Sequence, residues 1–394
     1  VDLFEKCYRF TRAKEAMAAG IYPYFRAIES GADTQVVIDG RQVIMIGSNN
    51  YLGLTQDPRV KKAAQEAIER FGSGCTGSRF LNGTLTLHEE LEERLAAFMK
   101  REAALVFSTG FQTNLGTIAT IVGKDDLIFA DRDNHASIVD GCRLAFGKTV
   151  KYRHNDMSDL ERVLKMYADD DGGKLIVTDG VFSMGGDIVD LPRLVTIAKK
   201  YGARIMIDDA HSIGVLGQHG RGTAEHFGLE DQVDIVMGTF SKSFASIGGF
   251  IAGDEPVIHY IKHHSRSLIF SASPPPAAVA TVLACLDIIE KEPERRERLW
   301  EITNKMRRGF RELGFNTGNS QTPIIPIIIG EDEKTFAFWK ALFENGVYAN
   351  PVISPAVPPG MSLIRTSYMA THKDEELDRV LEVFEKVGRQ FGVI

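Results

Sequence analysis

Lys242 stands in an unusual place for a lysine. An apolar run, 233–237, ends in Gly238-Thr239-Phe240-Ser241-Lys242-Ser243. Most lysines sit on exposed helix faces. An amine set in a hydroxyl-rich turn after a buried strand suits Schiff-base chemistry, which needs a desolvated lysine near polar or cationic groups. Thr239, Ser241 and Ser243 supply hydroxyls that could bind a phosphate. A second run, 203–207, leads into Asp208-Asp209-Ala210-His211. Taken alone, Asp208 reads as a helix N-cap with a structural histidine nearby. The chemical alternative is a carboxylate that keeps the ring nitrogen of a bound heterocycle protonated, because a buried Asp needs a cationic partner.

Three further segments follow the same plan. Phe107-Ser108-Thr109-Gly110-Phe111-Gln112 joins a strand pattern to a helix pattern. Gly110 lets backbone approach a ligand, and a helix N-terminus offers N–H groups to an anion. By itself this is an ordinary turn. His135 follows the run 126–130, and Ser183 follows 174–177. A lone histidine near a core is more often structural than catalytic. Gly72-Ser73-Gly74-Cys75-Thr76-Gly77 matches the dinucleotide pattern but follows a helix, so it lacks the required strand. His263-His264 has no companion ligands at metal-site spacing, and no metal is expected.

The elements that must position these groups alternate. The runs 103–107, 126–130, 174–177, 203–207 and 233–237 are separated by helical stretches. This pattern predicts an α/β domain with a mostly parallel sheet. Ligands of such sheets bind beyond the carboxyl ends of the strands, which is where every candidate lies. Residues 1–20 read as one helix, and 22–46 as loop and hairpin around Asp39-Gly40. Helices are expected over 58–71, 87–100 and 277–290, with 291–298 as a solvated helix face. Strands over 324–329 and 362–366 belong to a smaller α+β domain. The resulting division is 1–47, 48–286 and 287–394, with the first segment expected near the last.

Composition narrows the classes. The chain has 394 residues, 44% hydrophobic and 25% charged, with 46 basic against 53 acidic side chains. That is globular composition long enough for two domains. The net charge of -7 carries no basic block, so nucleic acid is not an expected partner. Cys7, Cys75, Cys142 and Cys285 form no CxxC pair and are expected to be free thiols in the cytoplasm. No signal peptide is read at the start, and the most apolar stretch, 323–330, is too short to span a bilayer.

The chain resembles the α-oxoamine synthases of the fold-type I pyridoxal 5'-phosphate enzymes. The resemblance runs nearly end to end. It rests on Asn50-Tyr51-Leu52-Gly53-Leu54, the Gly110-Phe111 turn, Asn134-His135-Ala136-Ser137, Gly180-Val181-Phe182-Ser183-Met184, Asp208-Asp209-Ala210-His211, Thr239-Phe240-Ser241-Lys242, Phe270-Ser271-Ala272-Ser273 and Leu363-Ile364-Arg365. It implies a seven-stranded, mostly parallel sheet in the large domain. It implies that Lys242 forms the Schiff base and serves as acid and base at the substrate α-carbon. Asp208 would pair with the pyridine nitrogen, and His135 would stack on the ring and help hold the substrate. His211 and Ser183 would bond the phenolic oxygen region. Gly110, Phe111 and Thr239 would bind the phosphate, joined across an obligate homodimer by Ser271 and Ala272. Arg365 would grip the substrate carboxylate, with Asn50 and Ser78 as further substrate contacts.

Within the family, the segments Gly74 to Thr84, His211-Ser212-Ile213-Gly214 and Gly238 to Ser243 are similar to the serine-using members. The implied reaction is decarboxylative condensation of L-serine with palmitoyl-CoA or another long-chain acyl-CoA. Its products are 3-oxosphinganine, CoA and carbon dioxide. Glycine C-acetyltransferase, 8-amino-7-oxononanoate synthase, another amino-acid C-acyltransferase of the family and a non-catalytic scaffold of the same fold are the alternatives. The scaffold would be expected to lack the lysine. Several relatives carry an arginine before the Pro-rich loop that precedes Arg365; here Ile353 stands there. The lipid substrate and product leave room for peripheral membrane contact by the N-terminal helix, though that helix is not strongly basic.

Overall fold

The turn at Asp39-Gly40 forms as its residue types demand. Both residues have positive φ, 51° and 68°, which Asp and Gly tolerate in a two-residue hairpin. Strands β1 (Gln35–Ile38) and β2 (Arg41–Met45) therefore pair antiparallel, with Ile38 opposite Arg41. The computed structural model describes residues 1–394. Residues 1–20 hold two short helices, Glu5–Tyr8 and Arg12–Ala18, instead of one. Neither buries a residue, and helices without a packed face gain little to keep them continuous.

The chain divides into two units, Asn49–Trp300 and Val1–Ser48 with Glu301–Ile394. The second division falls inside the helix Pro293–Glu312, not at 286/287.

The larger unit is built on seven strands: β3 (Ala103–Phe107), β4 (Leu127–Asp131), β5 (Lys148–Tyr152), β6 (Lys174–Asp179), β7 (Arg204–Asp208), β8 (Ile235–Thr239) and β9 (Gly249–Gly253). Their order is β3-β9-β8-β7-β6-β4-β5. Only β9 runs against the rest, antiparallel to both β3 and β8. All five apolar runs are strands. β5 and β9 lack a clear strand signal in the sequence, for opposite reasons. β5 is an edge strand that buries only Tyr152. β9 is wholly buried but bounded by glycines, which read as turn signals.

Phe107, Ile118, Ile128, Val177, Met206, Met237 and Ile251 form one buried cluster against this sheet. Each such side chain contributes about 1.5–3 kcal/mol. Asp57 caps the helix Pro58–Phe71 by accepting from Arg59 N at 2.9 Å, with Pro58 in the first turn. The helix Pro276–Lys291 packs on it. The charged run 291–298 is not simply solvated. Arg296 is buried against the Gln218 carbonyl, and Arg295 donates to Asp57 at 3.1 Å.

The smaller unit carries β10 (Ile324–Gly330), β11 (Val347–Tyr348), β12 (Asn350–Val352) and β13 (Ser362–Ser367). β13 lies between β10 and β12, antiparallel to both, while β11 joins β2 in parallel. Phe310, Phe338 and Phe384 pack as an aromatic group. Glu376 ties the N-terminal segment to the last helix by accepting from Thr34 Oγ1 at 3.2 Å and Gln35 Nε2 at 2.6 Å. No helix is long and apolar enough to cross a membrane.

Candidate active site

β7 ends in the carboxylate Asp208, and a second carboxylate, Asp209, follows it. Asp208 is buried; its Oδ1 accepts from Ala210 N at 2.9 Å and its Oδ2 from Asn114 Nδ2 at 2.7 Å. Asp208 thus ends a strand and caps no helix. Asp209 turns to Thr223, accepting from its hydroxyl at 2.6 Å and its N–H at 3.1 Å. Burial pushes the Asp209 carboxyl up to about 6.

His135 caps the helix Ala136–Leu144, accepting from Ser137 N through Nδ1 at 3.2 Å. Its own N–H donates to Asp179 Oδ2 at 2.8 Å. Burial holds the His135 imidazole below its ordinary value; the Asp208 charge opposes this and the Lys242 charge reinforces it. These three groups share one electrostatic neighbourhood. Asp179 belongs to it as well. Burial, then the Asp208 charge, push its carboxyl well above the usual range. In the sequence Asp179 stands two residues beyond the apolar run 174–177 and belongs to no motif.

The Gly110 turn, expected to bind an anion, assembles beside them. Thr109 caps the helix Gly110–Ile121 by accepting from Gln112 N at 3.1 Å. The N–H groups of Gly110 and Phe111 are among the first four, which have no carbonyl within a helix. A Cβ on Gly110 would lie 2.6 Å from Thr239 Oγ1, so the turn and Thr239 are in contact. Gly249 on β9 extends the bare surface: a Cβ there would meet Gly110 Cα at 2.9 Å. Lys242 is half-buried in the loop between β8 and β9, its carbonyl accepting from Ala245 N at 3.0 Å.

The remaining expected residues are distributed unevenly. His211 Nδ1 meets the Tyr51 hydroxyl at 2.7 Å. Ser183 lies on a turn closed by Val181 pairing with Ile188. Asp187 of that turn is held by His154 Nε2 at 3.0 Å, whose Nδ1 reaches Asp131 at 3.1 Å. Burial opposes charge on His154, yet the two carboxylates raise it to about 10. Ser271 Oγ accepts from Gln112 Nε2 at 3.0 Å, and the Ala272 carbonyl accepts from Ser108 Oγ. Both therefore border the anion-binding turn of their own chain. Ser78 pairs with Ala272, and its buried Oγ has no hydrogen-bond partner. Asn50 spends its amide locally, accepting from Leu54 N at 3.2 Å and donating to Thr55 Oγ1 at 2.8 Å. Arg365 lies in the smaller unit, buried on β13 opposite Pro326 and Asn350. Ile353 is half-buried just after β12. No group of three or more His, Cys, Asp or Glu side chains is placed to hold a metal.

Comparison with known proteins agrees with this geometry. The aminotransferase class I and II family profile matches residues 41–384. Serine palmitoyltransferase of Sphingobacterium spiritivorum is 53% identical over 388 residues, covering 98% of this chain and 97% of the relative. Serine palmitoyltransferase of Bacteriovorax stolpii is 54% identical over 373 residues, covering 95% and 89%. A high-resolution serine palmitoyltransferase structure with PLP superposes with a TM-score of 0.97 at 39% identity, each chain covered completely. The chain therefore belongs to the aminotransferase class I and II family, in its α-oxoamine synthase branch.

Proposed function

We propose that the chain condenses L-serine with a long-chain acyl-CoA, palmitoyl-CoA in the first instance, using pyridoxal 5'-phosphate. The products are 3-oxosphinganine, CoA and carbon dioxide. One observation carries this reading: Asp208, His135 and Lys242 share a neighbourhood beside the glycine-lined turn where Gly110 meets Thr239. Those residues fit the cofactor. A Cβ at Gly110 would fill the cradle that a phosphate needs, and Asp208 presents a buried carboxylate suited to a protonated ring nitrogen.

The cofactor supplies an electron sink that stabilises negative charge at the amino acid's α-carbon. Asp208 would keep the proton on the ring nitrogen, which would strengthen that sink. Gly110 and Phe111 N–H groups and the Thr239 hydroxyl would hold the phosphate. His211 and Ser183 would hydrogen-bond the phenolic oxygen region. Lys242 would carry the cofactor, take the proton from the serine α-carbon and return one at the end. His135 would help hold the cofactor and steady the substrate. By the family resemblance Arg365 would supply a bidentate guanidinium for the serine carboxylate. Positioning of the substrate by these residues would then select between deprotonation and decarboxylation.

The working form is a homodimer on this reading. Phe80, Leu81 and Phe270 are 51%, 77% and 76% exposed on segments joined by the Ser78–Ala272 bridge. Exposed apolar groups of this kind suit an interface, across which Ser271 and Ala272, which border the Gly110 turn of their own chain, would also reach the partner's phosphate. All four cysteines are free thiols, as suits the cytoplasm. Peripheral membrane contact would fall to exposed Leu3, Phe4, Tyr8 and Phe10.

The test is direct. Purified protein should be yellow, and L-serine should shift its visible absorbance. Lys242→Ala should lose the lysine-bound absorbance and about 10²–10⁴-fold in turnover. Unchanged absorbance in that variant would remove Lys242 from its role. Serine, glycine and alanine should each be assayed with long and short acyl-CoAs. Preference for glycine with a short acyl group would overturn the substrate assignment.

A further inference from the structure

Three buried groups, Asp208, Asn114 and Ser137, form a continuous chain that ends at His135 and joins three elements. Asn114, on the helix after β3, donates from Nδ2 to Asp208 Oδ2 at 2.7 Å and to Ser137 Oγ at 2.9 Å. Ser137 Oγ in turn meets His135 Nδ1 at 2.7 Å, and Ser137 N donates to the same nitrogen at 3.2 Å. Asn114 is fully buried and Ser137 nearly so.

The direction of each bond follows from what each atom can do. A carboxylate oxygen only accepts, so the amide must present its NH2 to Asp208. That NH2 has two protons, and the second goes to Ser137 Oγ. The hydroxyl, already accepting from an amide, has Nδ1 as its acceptor. A backbone N–H also points at Nδ1 and can only donate. Nδ1 therefore holds a lone pair. Asn114 Oδ1, meanwhile, is buried without a partner. A side chain chosen only for stability would not leave its acceptor stranded. The carboxylate dictates the orientation, and the stranded oxygen is its cost.

We propose that Asn114 and Ser137 are positioning residues that fix His135 as the neutral imidazole with its proton on Nε2, in register with Asp208. This deepens the function above, resting on it only in taking His135 and Asp208 as groups of one site. The charged and titratable groups around the ring are Asp179 on β6, Asp208 on β7 and Lys242 after β8. Burial, which disfavours the imidazolium, acts in the same sense as the bridge. The one-way chain thus makes His135 a fixed donor through Nε2 while Asp208 remains an acceptor.

The experiment is nitrogen-detected NMR of the holoenzyme labelled with ¹⁵N-histidine, the His135 signals being those lost in His135→Gln. Between pH 6 and pH 8 the expected state is a bare Nδ1 and a protonated Nε2. A proton on Nδ1, or an imidazolium at pH 7, would overturn the proposal without any variant. Ser137→Ala removes a bond made only to the neutral ring, so His135 should titrate about 0.5–1 unit higher. In Asn114→Ala the hydroxyl is free to turn; against the Ser137 N–H that still points at Nδ1, a fraction of the Nδ1–H tautomer should become populated. Unchanged tautomer and titration in both variants would also overturn it. Visible absorbance reports cofactor uptake separately. A chain that takes up no pyridoxal phosphate but shows the bare Nδ1 defeats the proposed function and leaves the bridge standing.

Discussion

The Tyr51 hydroxyl and His211 Nδ1 meet at 2.7 Å with both side chains buried. Tyr51 was legible only as one letter of a family segment, and its partner is 160 positions away. Tyr51→Phe keeps the ring and removes the bond. The expected result is about 1 kcal/mol lower stability, the worth of one neutral hydrogen bond, and roughly tenfold lower kcat/KM for serine through a less firmly held His211. Steady-state kinetics and urea denaturation check it. An unchanged kcat/KM would show that the tyrosine does not orient the histidine.

His154 joins the end of β4 to the turn that carries Ser183, through Asp131 and Asp187. Its folded value of about 10 lies above its ordinary 6.5. The charged ring therefore stabilises the fold fully below about pH 6.5, and that contribution is lost as pH rises through about 10. Urea midpoints measured from pH 6 to pH 10.5 should fall across this window in the wild type. His154→Gln should be less stable at pH 6 by about 2 kcal/mol, the scale of hydrogen bonds to charged groups. The difference between the two proteins should close towards pH 10.5. A difference that stays constant with pH would mean that the ring is not charged.

Gly110 sits where helix backbone is ordinary, so its lack of a side chain serves space and not conformation. In Gly110→Ala the new methyl would lie 2.6 Å from Thr239 Oγ1 and 3.1 Å from Thr239 Cβ. Pyridoxal phosphate affinity should drop at least about tenfold, or 1.4 kcal/mol. The thermal midpoint without cofactor should move by only a few degrees. Fluorescence or absorbance titration of the cofactor, set beside a melting curve, separates the two. Full affinity would place the phosphate elsewhere.

The sequence displayed the parts of this site that belong to strand ends. Lys242, Asp208 and His135 each follow an apolar run, so the sheet rule alone put them on one edge. It could not display the parts that join one run to another. Asn114 looks like any polar residue on a helix, and its meaning depends on Asp208, 94 positions on. His154 follows an edge strand whose mixed pattern concealed it. Arg296 looked like one charge among many until the fold buried it against the Gln218 carbonyl. Periodicity reports which face is apolar. It is silent on which buried polar atoms meet, because those pairings are set by topology.

The order of the central sheet carries a consequence for how the chain is made. Of the seven strands, β3 leaves the ribosome first and β9 last, yet β9 is the only strand that β3 pairs with. Synthesis runs at about 5–20 residues per second, so the nascent chain waits many seconds with four of the five β3 residues destined for burial and no neighbour to cover them. The Gly110 turn hangs directly from β3. Every chain that stops short of Gly253 therefore emerges with an unpaired apolar edge beside an unfinished ligand cradle, a ready target for chaperones and proteases.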